Sequence, residues 1–269
     1  MKNKKIFVWV PIIFVIVLLC TAVGYKFIKH EQNQNDRINQ LQGELSFLKS
    51  EFKEYTDPTK VEYSDSAYNY LAIGNSITKH GLAEYWWNEI GMAASSEEND
   101  YFHIVSANLE KQYGEICSYA FNFYTWEAQS TDRAETLDLI NGYLDSRLDL
   151  VTIQLSENVR DLSTYEKDYE ELIRYIQNKA PKAQIIVVDD FWDDGEKAEL
   201  KEEAANNTGV LFVNLDEIKG NKEYQCGMGT TVYDAMGNEH KVEHEGVAGH
   251  PGDKGMKYIA DEIISVIKE

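Results

Sequence analysis

The stretch YLAIGNSITKHG, Tyr70 to Gly81, passes directly from an apolar run into a small polar turn that contains a serine. Its apolar part, Tyr70 to Ile73, suits a buried β-strand. The next segment, LAEYWWNEIGM, has helical spacing and predicts a helix over Leu82–Met92. Two interpretations follow for Ser76: the turn displays it as a nucleophile, or it caps the helix after it.

Strand and helix patterns alternate along the rest of the chain. Strands are predicted within Phe102–Leu109, Leu148–Asn158, Ala183–Phe191 and Val210–Leu215, and helices over Asp132–Asp145, Tyr165–Lys179, Glu196–Asn206 and Lys254–Lys268. Such alternation predicts an α/β fold in which helices cover both faces of a parallel sheet. Ligands bind such sheets beyond the carboxyl ends of the strands, which is where Ser76 lies.

Composition limits the classes of partner. The chain has 269 residues, 43% of them hydrophobic, which is ample for a core. The formal net charge of -20 excludes nucleic acid as a partner, because a phosphate backbone would be repelled. The sequence contains no zinc-ribbon or redox motif, and we expect no cofactor.

The first residues predict a membrane anchor. Lysines precede Ile6–Tyr25, a run without a charged side chain that matches one helical crossing of a bilayer. The alternative is a cleaved signal peptide, although the residues around Ala22 make a poor cleavage site. We therefore predict a cytoplasmic tail and transmembrane anchor over residues 1–28, with the rest of the chain outside the cell.

A helical stalk is predicted over residues 29–58. Its apolar positions follow a heptad seam: Ile38, Leu41, Leu45, Leu48 and Phe52. The seam indicates either a single amphipathic stalk helix or a short coiled coil that permits self-association through the stalk. Pro58 ends this pattern, and residues 59–269 form the predicted catalytic domain.

Three separated residues could carry serine chemistry. Attack by a serine on an ester needs a base to take its proton and donors to hold the oxyanion. His250, in GVAGHPGDKGM before the last predicted helix, is the candidate base, and Asn158, at the end of LVTIQLSEN, is a candidate donor. The predicted fold brings both to the same sheet edge as Ser76.

The order GNS, QLSEN and HPGDKGM resembles the SGNH hydrolases, the GDSL-type esterase family, over most of Tyr68–Glu269. The resemblance implies a flavodoxin-like three-layer α/β/α sandwich. It also implies that Ser76 is the nucleophile and supplies an oxyanion N–H, that Asn158 completes the oxyanion hole, and that His250 is the base. Together with the predicted location, it points to removal or transfer of O-acetyl groups on carbohydrate.

The sequence departs from the family pattern at three places. Val247 stands where an aspartate often precedes the histidine, so either Glu245 replaces that acid or a backbone carbonyl orients His250 in a Ser–His dyad. Ser156 stands where a glycine often precedes the asparagine. The second oxyanion glycine has no match in YAFNFYTWE, where Asn122 or a nearby backbone N–H is the candidate donor.

Other residues at the same edge predict a substrate pocket. Asn75 and Glu157 are neighbours of the candidate site residues, and Trp192 follows a strand end, where it could stack against a sugar or be buried. The departures from the family pattern leave one alternative of another class, a non-catalytic carbohydrate-binding or scaffolding protein that keeps the fold.

Histidines and cysteines leave two further questions. His240, His244 and His250 could bind zinc, but the glycines around them indicate a loop rather than a helix, and we predict no metal. Cys117 and Cys226 could form a disulfide outside the cell or remain two buried thiols.

Overall fold

The computed structural model describes residues 26, 29, 61–130, 132–192 and 195–268. Within these ranges, no helix has the length and apolar character that a membrane crossing requires. The predicted anchor over 1–28 and stalk over 29–58 fall almost entirely outside the described residues, so both stay predictions.

Strands and helices alternate along the described residues from Val61 onward. These elements are β1 (Tyr68–Gly74), α1 (Tyr101–Tyr113), β2 (Ile116–Asn122), α2 (Tyr124–Glu127), β3 (Leu150–Gln154), α3 (Tyr165–Lys179), β4 (Gln184–Val188), α4 (Gly195–Thr208), β5 (Leu211–Val213), β6 (Thr231–Tyr233), β7 (Glu239–Lys241), α5 (Glu245–Ala248) and α6 (Asp253–Ser265). Short 3₁₀ helices cover Glu97–Asn99, Arg133–Tyr143 and Lys222–Tyr224.

A five-stranded sheet in the order β2-β1-β3-β4-β5 organises the domain, and all of its pairings are parallel. The register sets Gly74, the last residue of β1, beside Asn122 of β2 and Gln154 of β3. Three neighbouring strands therefore end at one level, and the segments after them start from a common edge. The small antiparallel pair β6-β7 lies outside this sheet.

Helices cover both faces of the sheet, as the three-layer prediction requires. Alternate residues of β1 point to opposite layers: Tyr70 and Ala72 join the core under α1 and α6, whereas Leu71 and Ile73 join the core under α3 and α4. All four side chains are fully buried. Burial on both faces explains why the strand reads as a continuous apolar run rather than as an alternating one.

The helix predicted over Leu82–Met92 is wrong. The segment doubles back on itself: Ala83 and Trp86 form an isolated bridge, the N–H of His80 donates to the carbonyl of Ile90, and the N–H of Met92 donates to the carbonyl of Ser76. Its apolar residues therefore reach the core from a folded loop, although their spacing in the sequence is that of a helix.

The strand predicted within Phe102–Leu109 is also wrong, because these residues belong to helix α1. Asp100 caps this helix by accepting a hydrogen bond from the N–H of His103 at 2.7 Å. The strand beside β1 is β2, which follows α1.

Cys117 and Cys226 are separate free thiols, so the disulfide alternative is wrong. Cys117 lies in β2, Cys226 lies in a loop, and both are half-buried.

Candidate active site

Ser76 lies in a tight loop directly after β1. Asn75 organises this loop: its carbonyl accepts hydrogen bonds from the N–H groups of Thr78 and Lys79 at 3.1 and 3.0 Å, and its side-chain Oδ1 accepts from the N–H of Ile77 at 3.0 Å. The asparagine therefore holds the backbone on both sides of the serine hydroxyl.

A glycine is required at the start of this loop. A Cβ atom at Gly74 would overlap the side chain of Thr78 and the backbone oxygen of Gln154 in β3.

The next helical segment of the described chain begins at Glu97, so the alternative in which Ser76 caps a helix is wrong.

His250 stands next to Ser76, with 2.8 Å between the serine Oγ and the imidazole Nε2. The other ring nitrogen, Nδ1, lies 2.6 Å from the carbonyl oxygen of Gly246. Because a carbonyl can only accept, Nδ1 carries the hydrogen, and Nε2 is left with a lone pair that faces the serine hydroxyl. This tautomer is the one that a general base needs.

The partner of His250 is a backbone carbonyl and not a carboxylate. Glu245, the alternative acid, is the exposed first residue of α5, and the carbonyl of the following Gly246 occupies the position at Nδ1. Val247, at the family's usual aspartate position, is buried in the core. In the structure the Gly246 carbonyl, and not Glu245, is the partner of Nδ1, and Ser76 and His250 form a hydrogen-bonded pair; a role for Glu245 stays a prediction.

Burial, with smaller contributions from the nearby His80 and His244, lowers the pKa of His250 to about 4, although the hydrogen bond to Gly246 acts in the opposite direction. The imidazole is therefore neutral at pH 7. Among the described residues, no carboxylate is hydrogen-bonded to the imidazole, so no such group is in contact to balance an imidazolium charge.

Asn158 follows β3 at the same edge, and its amide is held by a buried glutamate that sequence reasoning missed. Nδ2 of Asn158 donates to Oε2 of Glu127 at 2.7 Å. The other carboxylate oxygen, Oε1, accepts from Nδ2 of Asn75 at 2.9 Å and from the N–H of Ser156 at 2.5 Å. Burial raises the pKa of Glu127, and these hydrogen bonds oppose that rise. The sequence feature that could have indicated Glu127 is an acidic residue in an aromatic stretch just after a strand end.

Ser156 adopts backbone angles that favour glycine, with φ at 125°. This explains why the family has a glycine here. In this chain two hydrogen bonds fix the serine: its N–H donates to Glu127, and its Oγ donates to Oδ1 of Asp190 at 2.7 Å.

A buried ionic cluster lies behind this strand end. Asp190 contacts the amino groups of Lys201 at 2.7 Å and Lys197 at 3.1 Å, and all three side chains are buried. Burial alone would raise the pKa of Asp190, but the two lysines outweigh it and hold the pKa below its ordinary value. The cluster thereby keeps an ionised acceptor for the Ser156 hydroxyl.

Asn122, the other predicted oxyanion donor, is held by two hydrogen bonds, and its oxyanion role stays a prediction. Its Nδ2 donates to the carbonyl of Lys79 at 2.7 Å, and its Oδ1 accepts from the N–H of Tyr124. The N–H of Phe123 donates to the carbonyl of Gly74, so this backbone group is also in use. In contrast, the N–H of Ser76 has no acceptor among the described residues.

Two predicted pocket residues have different surroundings. Glu157 is hydrogen-bonded within the protein: its Oε1 accepts from the N–H of Phe191 at 2.6 Å and from Nε2 of Gln154 at 3.0 Å, and its pocket role stays a prediction. The ring of Trp192 meets the His250 ring edge-on at 4.9 Å, and its Nε1 donates to the carbonyl of Gly249. Trp192 is therefore a neighbour of the dyad.

A partly exposed ring pair also borders the site. The rings of Tyr85 and His244 stack at 4.6 Å, and the ring of His80 lies 6.2 Å from that of Tyr85. His80 directly follows the Ser76 loop, and His244 directly precedes α5, whose Gly246 carbonyl contacts His250, so the ring pair lies close to Ser76 and His250. Tyr85 is 40% exposed and Leu82 is 65% exposed.

The three histidines considered for zinc have separate partners. His240 stacks on Trp87 at 4.4 Å and contacts Oδ2 of Asp234, His244 stacks on Tyr85, and His250 contacts Ser76. Across residues 61–130, 132–192 and 195–268, no three His, Cys, Asp or Glu side chains are grouped as a metal site would require.

Comparison with known proteins gives structural matches only. No family model matches the sequence, and no curated protein matches it. Similar solved structures include a two-domain esterase described as active on acetylated mannans, at 18% identity and a TM-score of 0.47. The match covers 74% of this chain and 48% of that esterase, so the chain spans about half of its length.

Two further matches have more similar lengths. A GDSL-like lipase from Bacteroides ovatus has 15% identity and a TM-score of 0.45, with 74% of this chain and 97% of that chain covered. A lipase/acylhydrolase from Enterococcus faecalis has 12% identity and a TM-score of 0.47, with 74% and 94% covered. These descriptions include GDSL-type enzymes, the group that the sequence resembles. The parallel strand order, with helices on both faces of the sheet, gives the described residues a three-layer α/β fold.

Proposed function

We propose that this protein is a serine esterase of the SGNH type that uses a Ser76–His250 dyad. The observation that carries the proposal is the 2.8 Å contact between the Ser76 Oγ and a His250 Nε2 whose tautomer is fixed by the Gly246 carbonyl. A serine that served only the fold would not need a neutral, correctly protonated base at hydrogen-bond distance.

In the first half-reaction, Oγ of Ser76 attacks the acyl carbonyl while its proton passes to Nε2 of His250. The resulting oxyanion is held by the N–H of Ser76 and the amide of Asn158. Collapse of the tetrahedral intermediate breaks the bond to the alcohol, which leaves with the proton from His250. The product on the enzyme is an acyl ester of Ser76.

In the second half-reaction, His250 takes a proton from water, and the hydroxide equivalent attacks the acyl ester. The second tetrahedral intermediate releases the carboxylic acid and returns the proton to Ser76. If a sugar hydroxyl takes the place of water, the same steps transfer the acyl group instead of hydrolysing it.

Labelling with a fluorophosphonate probe tests the proposal, because phosphonylation needs an activated serine. The full chain is expected to be labelled at Ser76 and to hydrolyse p-nitrophenyl acetate. A non-catalytic carbohydrate-binding protein with this fold would show neither result, and absence of both would overturn the proposal.

The proposed dyad predicts that activity persists to a lower pH than an ordinary histidine base would allow. A base must be neutral, and the depressed pKa of His250 keeps it neutral as the pH falls below the ordinary histidine value of about 6.5. We therefore expect kcat/KM for p-nitrophenyl acetate to remain near its plateau to below about pH 6. A fall with its midpoint at about 6.5 or higher would contradict this prediction.

Acylated carbohydrate is the substrate that we propose. The sequence resemblance favours an esterase of this kind, and the rim formed by Tyr85, His244 and Trp192 offers aromatic faces and edges beside the dyad. Such rings pack well against the apolar faces of sugars.

Tyr85→Ala is expected to raise KM for an acetylated oligosaccharide about fivefold to tenfold, because stacking on one aromatic ring contributes about 1 kcal/mol. The variant should leave kcat/KM for p-nitrophenyl acetate within about twofold, since that ester has no sugar to stack. Tyr113→Ala is the matched control, because Tyr113 is similarly exposed but stacks on Tyr68 at the amino end of β1. Equal KM values for Tyr85→Ala and the unaltered protein would exclude the rim from sugar binding.

We also propose that residues 1–28 anchor the chain in the cell membrane, with the catalytic domain outside the cell and residues 29–58 as a stalk that permits self-association. The support is the uncharged run Ile6–Tyr25, the lysines before it and the heptad seam after it. Sedimentation of the full chain with membranes, and its release by detergent but not by salt, would test the anchor.

A further inference from the structure

Glu127 is placed to control the oxyanion hole without touching substrate. Its buried carboxylate accepts hydrogen bonds from Asn75, the residue before the nucleophile, and from Asn158, the side-chain oxyanion donor. It also accepts from the N–H of Ser156, the residue in the strained backbone conformation. One side chain thus ties the loop after β1 to the segment after β3.

The carboxylate determines which way the Asn158 amide faces. The group at 2.7 Å from Oε2 of Glu127 is the Nδ2 of the asparagine, which donates a hydrogen bond to that oxygen. Nδ2 has two hydrogens, and the second remains available for a substrate oxygen. If the amide rotated by half a turn, its carbonyl would take that position and repel an oxyanion.

Within the part of the chain that the structure describes, Glu127 alone holds this amide. Asn158 is exposed, and among the described residues Glu127 is the only hydrogen-bond partner of its side chain. An exposed asparagine with no tether would populate several rotamers, and each wrong one would remove a donor from the transition state.

The same carboxylate sets the position of Asn158 relative to Ser76. Asn75 donates through Nδ2 to Glu127, while its Oδ1 accepts from the N–H of Ile77, so the asparagine links the carboxylate to the nucleophile loop. Glu127 is the last residue of the short helix α2, and the residue before it, Trp126, is fully buried. The carboxylate is therefore anchored in the core on a segment separate from both residues that it holds.

We propose that Glu127 is a positioning residue that fixes the amide of Asn158 as an oxyanion donor and couples it to the Ser76 loop through Asn75. The proposal rests on the proposed esterase function. It assigns a role in the reaction to a residue that is not in contact with the substrate.

A double-mutant cycle on the full chain tests it. Glu127→Gln keeps the shape of the side chain but replaces one acceptor oxygen with a donor, which faces other donors. We expect kcat for p-nitrophenyl acetate to fall by about tenfold to a hundredfold with KM nearly unchanged, and Asn158→Ala to cost about a hundredfold to a thousandfold. The double variant should match Asn158→Ala within about threefold, because Glu127 acts through the amide that is already absent.

Asp149→Asn is the control for general destabilisation. Asp149 accepts a hydrogen bond from the N–H of Asn69 at the opposite end of the sheet, and its loss should leave kcat within about twofold. If Glu127→Gln does not fold, Glu127→Asp replaces it in the cycle, since the charge stays but the carboxylate is one methylene too short to reach both asparagines.

The outcomes separate the two proposals. Unchanged kcat in a folded Glu127 variant, or losses that multiply in the double variant, would overturn the positioning role while the esterase function stands. If the unaltered chain has no esterase activity, the function fails, and the side-chain amide NMR signals of Asn75 and Asn158 then decide the positioning role. Both signals should move in Glu127→Gln and not in Asp149→Asn, and unmoved signals would overturn it.

Discussion

The Ser76→Ala variant is expected to lose esterase activity by at least about ten-thousandfold in kcat, because among the described residues only the Ser76 hydroxyl is hydrogen-bonded to the proposed base. The free energy of unfolding should change by no more than about 1 kcal/mol, since the Oγ has no hydrogen-bond partner other than His250 within the described part of the chain. The measurements are hydrolysis of p-nitrophenyl acetate, fluorophosphonate labelling and thermal unfolding of the same preparation.

Ser66→Ala is the matched control, because Ser66 is an exposed serine before the amino end of β1, far along the strand from the site. It should keep full activity and full labelling. Substantial activity in Ser76→Ala, or a stability loss of several kcal/mol, would show that Ser76 serves the fold rather than the reaction.

The parts of the fold that could be predicted are those in which one physical cause sets the pattern. β1 is buried on both faces and reads as a continuous apolar run that ends at an obligatory glycine, Gly74. Helix α3 buries one face only, and its predicted bounds, Tyr165–Lys179, agree with the structure. Because parallel strands end together, these elements were enough to bring Ser76, Asn158 and His250 to one edge.

Two segments could not be predicted because different structures produce the same local pattern. In Phe102–Leu109, apolar residues suit a strand as well as a helix, and the decisive feature is the Asp100 cap just before it. In Leu82–Met92, buried Trp86 and Ile90 are spaced as on a helix, but the loop is closed by long-range hydrogen bonds that no local pattern records.

The second layer of the site was missed because it depends on contacts between distant segments. Glu127 has no spacing relation to Asn158, and only the fold brings α2 beside the end of β3. The departure at Ser156 was visible in the sequence, but its compensation by Glu127 and Asp190 was not. The motif residues could be recognised because they resemble a family pattern. The residues that hold them in place, such as Glu127, could not, because their contacts depend on how this particular chain packs.

A backbone carbonyl as the partner of the base has a chemical consequence. The Gly246 carbonyl fixes the tautomer and the orientation of His250 as well as a carboxylate would, but it has no full charge with which to stabilise the imidazolium. The orientation part of catalysis is therefore retained, and the electrostatic part is reduced. We expect a working base with modest turnover, which makes the contribution of the imidazole itself directly measurable.

His250→Ala should lower kcat by at least about a thousandfold, because it removes the only acceptor at hydrogen-bond distance from the Ser76 hydroxyl among the described residues. Adding Ser76→Ala should cost little more, since neither residue works without the other. Glu245→Gln is the matched control within the same loop: its carboxylate is exposed, so the loss should stay under about tenfold, or about 1.4 kcal/mol of barrier. Activity of His250→Ala within tenfold of the unaltered protein would exclude the dyad. A hundredfold loss in folded Glu245→Gln would instead show that a displaced acid completes a triad, because that is the scale expected when a triad carboxylate is removed.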